Sequence, residues 1–321
     1  MIRLASYLAA AAAAAVLGAG SASAQTVTFS TLPQGSLLNF QSTVMSKVFL
    51  DKTDLKVIVT PMRGPEAQIA AVNSNEAQIM LTDASNAAAA LNGEEAFAGR
   101  PMTKLRAIAK MVTFNIGMLV RKDSKFKTIA DLKGARLSAG WTAFKQGERL
   151  QEALMNTAGL TMKDVQPVPI PEIIRGADDL KAGRLDSMAI AVGAPKVKEV
   201  DSAVGVRFLP VAFNPQNLAA VKKVRADFYL SEVKPSPAAT GVLAPMHLLA
   251  FDLAFVTNAS TPDDTVVKLA KALLENKAAL AEGHPSFRGF LPNDMAKQFS
   301  VLKYHPAAVK FYQDKGIWPR T

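Results

Sequence analysis

The chain has 321 residues, with 37 Lys+Arg against 27 Asp+Glu, three His and no Cys. That length accommodates one large or two medium domains and buries a full core without covalent staples. Absent cysteine excludes a disulfide scaffold, a thiolate metal site and a cysteine nucleophile, and 49% hydrophobic against 20% charged residues excludes a disordered chain.

The first segment reads as an export signal. Arg3 gives a short positive start, Leu4 to Gly20 is almost wholly apolar, and Ala22-Ser23-Ala24 is a small-x-small cleavage pattern. The pattern predicts removal of residues 1–24 before Gln25 and delivery to the periplasm. The apolar run is short, rich in weakly hydrophobic alanine and followed by polar residues, which argues against a membrane anchor. No cysteine follows it, which excludes a lipid anchor there. Basic residues are dispersed without an Arg/Lys run and aromatics are only 7%, so nucleic acid is not an expected partner. A general attraction to anionic ligands or membrane surfaces fits the charge better.

Short apolar runs then alternate with amphipathic stretches. Val27–Ser30 reads as a strand, Asn39–Leu50 as a helix, Leu55–Thr60 as a strand and Glu66–Ser74 as a helix with Asn75 at a left-handed cap. Gln78–Thr82 is the next strand and Ala84–Leu91 a helix closed by Asn92-Gly93. After Lys104–Lys110 the pattern restarts. Ile116–Arg121 reads as a strand, Thr128–Lys133 as one helical turn, Arg136–Ala139 as a strand and Gln146–Thr157 as a helix. Val165–Ile170 is a Pro-punctuated strand, Ala177–Ala182 a short helix, and Asp186–Val192 and Val206–Val211 are strands. A polar helix around Gln216–Tyr229, a Pro-rich loop at Lys234–Pro245 and a strand Leu248–Thr257 follow. Thr261-Pro262-Asp263-Asp264 is a helix start with cap, proline and acids at the positive dipole end, running to about Ala281. Strand–helix–strand units of this length predict a mostly parallel sheet with helices on its faces.

Several segments together resemble a known family. Asp131-Leu132-Lys133-Gly134-Ala135-Arg136-Leu137-Ser138-Ala139-Gly140 resembles a strand-entry motif of periplasmic solute-binding proteins. Asp179-Leu180-Lys181-Ala182-Gly183-Arg184-Leu185-Asp186 resembles their later helix–turn–strand, with Gly193-Ala194-Pro195 at the family's distance. The tail His305-Pro306-Ala307-Ala308-Val309-Lys310-Phe311-Tyr312-Gln313-Asp314-Lys315-Gly316 is similar to that of the TAXI receptors of TRAP-type secondary transporters. The resemblance implies a two-lobed type II periplasmic binding-protein fold, each lobe a mixed sheet flanked by helices. Lobe one would be 26–115 plus 211–321, and lobe two 116–210. It also implies a small carboxylate or amino acid, glutamate-like or bulkier, caught between the lobes and delivered to a TRAP-type permease. It implies no enzyme activity and no cofactor; a monomer is expected.

The loops depart from the family pattern. The glycine-rich first loop reads Ser30-Thr31-Leu32-Pro33-Gln34-Gly35-Ser36-Leu37-Leu38-Asn39. The second-strand turn is Pro61-Met62-Arg63-Gly64-Pro65, Asp83 replaces an amide, and the later loop is Trp141-Thr142-Ala143-Phe144-Lys145-Gln146-Gly147. In open α/β sheets ligands bind at the carboxyl ends of strands, where helix starts offer free N–H groups and partial positive charge. The candidate ligand residues on these loops are therefore Thr31, Gln34, Gly35, Ser36, Asn39, Arg63, Gly64, Asp83, Ser85, Trp141, Thr142, Lys145, Gln146 and Gly193. Arg63 and Lys145 each suit an anion, and Trp141 and Phe144 an apolar ligand part. Asp83 either accepts from a ligand ammonium or caps the helix after it; Gln34, Ser36 and Asn39 either bond the ligand or close a turn. Asp178-Asp179 and Asp263-Asp264 are expected at helix starts, and His247, His284 and His305 in structural or surface roles. An exported α/β enzyme acting on a small acid, or a receptor serving an ATP-driven permease or a sensor, are the alternatives, but no Ser/His motif supports a hydrolase.

Overall fold

The computed structural model describes residues 25–319, and the export segment 1–24 lies outside them. Strands β1 (Thr26–Thr31), β2 (Lys56–Pro61) and β3 (Ile79–Asp83) lie parallel in the order β2-β1-β3. Parallel neighbours need crossovers, supplied by α1 (Leu37–Lys52) and α2 (Pro65–Ser74). Local chemistry sets their ends. The Ser36 hydroxyl caps α1 by accepting from the Asn39 N–H at 3.2 Å. Pro65 opens α2, and Asn75 closes it at φ 67°. The Asp83 carboxylate caps α3 (Ala84–Asn92), accepting from the Ser85 N–H at 2.8 Å, and Gly93 ends it.

Two strands join this group to the next. β4 (Leu105–Arg121) runs 17 residues and pairs antiparallel with β10 (Met246–Asn258) up to Phe114. From Ile116 onward it pairs with β7 (Ser187–Ala191), and at its end with β8 (Val206–Phe208). β7 adjoins β5 (Arg136–Ala139) and β5 adjoins β6 (Gln166–Pro169), all parallel, while β9 (Tyr229–Val233) pairs with Met246–Ala250 of β10. Asn115 therefore marks the point where β4 exchanges one set of neighbours for the other. Helices α4 (Gln146–Asn156), α5 (Ile173–Lys181), α6 (Pro195–Val204), α7 (Pro215–Val224), α8 (Asp263–Glu275), α9 (Lys277–Gly283) and α10 (Pro306–Asp314) flank the sheet, with α7 on α4, α6 on α5 and α10 on α8. Under α1 the rings of Phe29, Phe49 and Phe255 pack within 5.6–6.4 Å of one another. No helix among the described residues is long and apolar enough to cross a membrane.

The structure corrects several local expectations. β4 begins at Leu105 rather than Ile116, because β10 supplies a partner for the whole of 105–114. α5 begins four residues earlier than expected, since the Glu172 carboxylate accepts from the N–H groups of Ile174 and Arg175 at 2.6 and 2.7 Å. Asp178 and Asp179 consequently sit near that helix's end, where Asp179 pairs with Arg175 and Arg184. α6 is unanticipated, and the stretch 216–229 divides into α7 and the strand β9 that follows. Thr261 does not cap α8; its hydroxyl lies 2.8 Å from that of Thr257 and Pro262 takes the cap position. The helix expected to reach Ala281 breaks at Asn276 into α8 and α9.

Where α4 meets the Trp141 ring, Gly147 leaves no spare volume. A Cβ on Gly147 would lie 2.6 Å from the fully buried indole of Trp141. Gly147→Ala is expected to cost about 1–3 kcal/mol in urea unfolding, the usual range for overpacking. An unchanged midpoint would contradict this packing.

Candidate functional site

The carboxyl ends of β1, β3, β5 and β7 each lead toward a helix start: Ser36 before α1, Asp83 before α3, Gln146 at the head of α4, and Ala194-Pro195 at α6. These turns converge on one chamber, closed from the two ends of the sheet. Leu37, Phe114, Ile174, Ile190 and Phe251 supply its apolar wall, and Asp83 and Gln146 its polar floor. Its volume is about 30 Å³, room for no more than a few waters. Across it the Gln146 Nε2 donates to Asp83 Oδ2 at 2.5 Å, and the Lys196 N–H donates to the Gly35 carbonyl at 3.1 Å. Beside it Gly64 meets the Ala143 backbone so closely that a Cβ would sit 1.5 Å from that carbonyl oxygen. The two ends of the sheet are thus in direct contact around the chamber.

Charge beneath the chamber is unevenly neutralised. Asp83 is 2% exposed, and burial pushes its carboxyl up to about 6, against the opposing pull of Arg225. The Arg225 Nη1 lies 3.6 Å from Asp83 and 2.6 Å from the Ser85 hydroxyl, while its Nη2 lies 2.6 Å from Glu95. One guanidinium therefore serves several acids, and burial also raises neighbouring Asp227. Low local dielectric makes an incompletely paired carboxylate costly, which is why a hydrogen-bond donor is needed on Asp83 Oδ2.

The structure brings only part of the predicted set together. Gly35, Ser36, Asp83 and Gln146 line the chamber. Ser85 lies behind it, its hydroxyl donating to Asp83 Oδ1 at 2.9 Å. Thr31 is buried at the end of β1, its hydroxyl without a partner among the described residues. Gln34 is exposed, and Asn39 is half-buried on the first turn of α1. Arg63, Thr142 and Lys145 are exposed. The Lys145 ammonium turns to the Gly140 carbonyl at 3.2 Å and toward Glu148. Trp141 does not face the chamber. It is fully buried at φ 24°, and borders a separate cavity of about 400 Å³ beside Gln151 and Met155, its indole N–H without a partner among the described residues. Phe144 takes the lining position. Gly193 lies on another cavity, of about 220 Å³, with Asn115 and His284.

Sequence reasoning missed Phe114, Phe251 and Arg225. The two phenylalanines lie at partnered positions of β4 and β10, a register that no local pattern carries. Arg225 follows α7 directly, in a stretch whose polarity suggested an exposed helix. His284 and His305 behave as expected, each ring nitrogen capping a helical turn, and burial lowers both pKa values.

Residues 40–316 match the NMT1-like family, and the chain belongs to it. The periplasmic binding protein BugD is similar at a TM-score of 0.61 and 14% identity, over 92% of this chain and 94% of that one. A structure described as a periplasmic transporter gives 0.60 and 13%, over 92% and 95%. PhnD1 from Prochlorococcus marinus in complex with methylphosphonate gives 0.56 and 12%, over 91% and 99%. These likenesses establish the fold: the mixed α/β, two-lobed architecture of type II periplasmic binding proteins.

The raised Asp83 carboxyl makes stability depend on pH. Between about pH 4 and 6 the folded chain holds a proton that the unfolded chain, with its ordinary Asp value near 3.9, has released. Stability from this group therefore rises as pH falls through 6 and levels off near 4. Relative to Asp83→Asn, the wild type should gain urea resistance on going from pH 7.5 to 4.5. A pH-independent gap between the two proteins would contradict the assignment.

Proposed function

We propose that this member of the NMT1-like family is a periplasmic solute receptor, exported through its cleaved N-terminal segment and acting as a monomer. Its lobes, 26–115 plus 211–321 and 116–210, close on a small organic acid and pass it unaltered to a TRAP-type permease. The observation that carries this reading is the meeting of helix starts from both ends of the sheet at one chamber too small to admit a solute. Entry requires the two sides to separate, and β4 and β10 are the shared strands about which they would do so.

The chamber also bears on the ligand. Its wall is apolar, which favours a body bulkier and less polar than glutamate. Asp83 and Gln146 hold each other in the closed form, and a ligand N–H or O–H takes the place of the Gln146 amide on the carboxylate when the solute is bound. The excess of Lys and Arg over Asp and Glu favours an acid over a neutral solute. The chamber wall contributes no nucleophile–base pair, and capture needs neither chemistry nor a cofactor. The TAXI-like tail favours a TRAP permease over an ATP-driven one.

Gly64→Ala tests the closure directly, because its methyl group would occupy the Ala143 carbonyl's place. In a thermal-shift screen of organic acids and amino acids, a hit should stabilise the wild type and be recovered unchanged. Gly64→Ala, still folded, should bind that hit at least about tenfold more weakly, a difference of 1.4 kcal/mol. Turnover of the hit, or equal binding by the variant, would overturn the proposal.

A further inference from the structure

We infer that the acidic group of the solute lodges in the cavity beside Gly193, held by Arg288 and Lys234, and not at the outer rim by Arg63 and Lys145. This rests on the receptor reading and names the subsite that reading leaves open. The cavity, of about 220 Å³, is bounded by α1, by Thr113–Asn115 of β4, by the Gly193 turn, by the segment after β9 and by the turn His284–Arg288. Leu37 and Phe114 border both this cavity and the Asp83 chamber. Two side chains therefore divide one crevice into adjoining compartments, and a single elongated molecule that displaces the Gln146–Asp83 contact can occupy both.

The compartments have opposite polarity. The chamber carries a carboxylate and no cation; the cavity carries Arg288 and Lys234 and no Asp or Glu. Arg288 has no acidic partner among the described residues, and Lys234 lies 3.6 Å from an exposed Glu232, a pairing that water and salt screen. A carboxylate is repelled by Asp83 and attracted by the cavity, so the electrostatics fix which end of an amphipathic acid goes where.

Neutral groups in the cavity are also left open to a ligand. The His284 Nδ1 accepts from the Ser286 N–H at 3.2 Å and lies 2.7 Å from its hydroxyl. That arrangement puts the ring hydrogen on Nε2, a donor with no acceptor among the described residues. Gln41 is fully buried; its Nε2 donates to the Ser286 hydroxyl at 2.9 Å while its Oε1 has no partner among the described residues. A buried, unpartnered amide oxygen beside a polar cavity is rare without a ligand or water to satisfy it. Gly193, at φ 83°, brings the opposite wall in: a Cβ there would lie 3.0 Å from the Ala238 carbonyl. The solute class that fits is an elongated acid, its carboxylate in the cavity, its apolar body passing Leu37 and Phe114, and a donor at its far end reaching Asp83.

Calorimetry with three probes of one skeleton tests the assignment: 3-phenylpropionate, 3-(4-hydroxyphenyl)propionate and 3-phenylpropan-1-amine. The wild type should bind both acids, the hydroxylated one more tightly, and not the amine. Arg288→Ala combined with Lys234→Ala should weaken both acids at least tenfold, and Arg63→Ala with Lys145→Ala less than twofold. All four side chains are exposed, so folding is not at stake. Unchanged binding by the first double variant, or a large loss in the second, would overturn the subsite and leave the receptor standing. Failure of the wild type to bind either acid would overturn the acid reading itself.

Discussion

Two strands shared between neighbours that never touch each other elsewhere in the sheet constrain everything else. β4 spends its first ten residues on β10 and its last ones on β7 and β8, so the β1–β3 and β5–β7 ends are linked through continuous backbone hydrogen bonding. What closes the crevice is side-chain and loop contact: the Gln146–Asp83 bond, the Lys196–Gly35 backbone bond, the Arg149–Glu95 pair, Glu66 on the backbone of Lys145 and Gln146, Gly64 pressed against the Ala143 carbonyl, and α7 packed on α4. Strand pairing within each end and side-chain and loop contact between them is the distribution expected when relative motion is part of the work.

Electrostatics and shape reinforce each other around that crevice. Buried Asp83 shares Arg225 with other acids and depends on a donor from across the chamber, so any separation of the two sides exposes an acceptor in need of a partner. On the other flank of Leu37 and Phe114 the sign of the charge reverses. A solute that meets both demands is oriented by them without a large number of contacts, and the apolar wall between supplies the area that drives it out of water.

Much of the fold was legible in the sequence because its signals are local. Asn75 and Gly93 stop helices by accepting positive φ, Ser36 and Asp83 start them, and the spacing of strands and helices marks a parallel α/β sheet. Elements set by distant partners were harder: the first half of β4 exists because β10 lies alongside, and α5 starts early because Glu172 reaches forward to cap it. The crevice was read in the same proportion. Gly35, Ser36, Asp83 and Gln146 sit at strand ends and are found by position alone. The loop 140–147 turns its tryptophan inward, where Gly147 leaves space for the ring, and presents Phe144 instead. The cavity beside Gly193 draws on five separate segments from α1 to the His284 turn, and no spacing rule links Gln41 to Arg288.

The central claim is that the two ends of the sheet move as lobes about β4 and β10 and are locked together by solute. The cysteine-free sequence allows a unique pair of spin labels, at the exposed positions Lys47 on α1 and Lys163 beyond α4. Distances measured by pulsed electron paramagnetic resonance should be broadly distributed without solute. With a bound organic acid they should collapse to one narrow population, shorter than the mean distance without it. A single narrow distance, identical with and without a bound acid, would contradict the account.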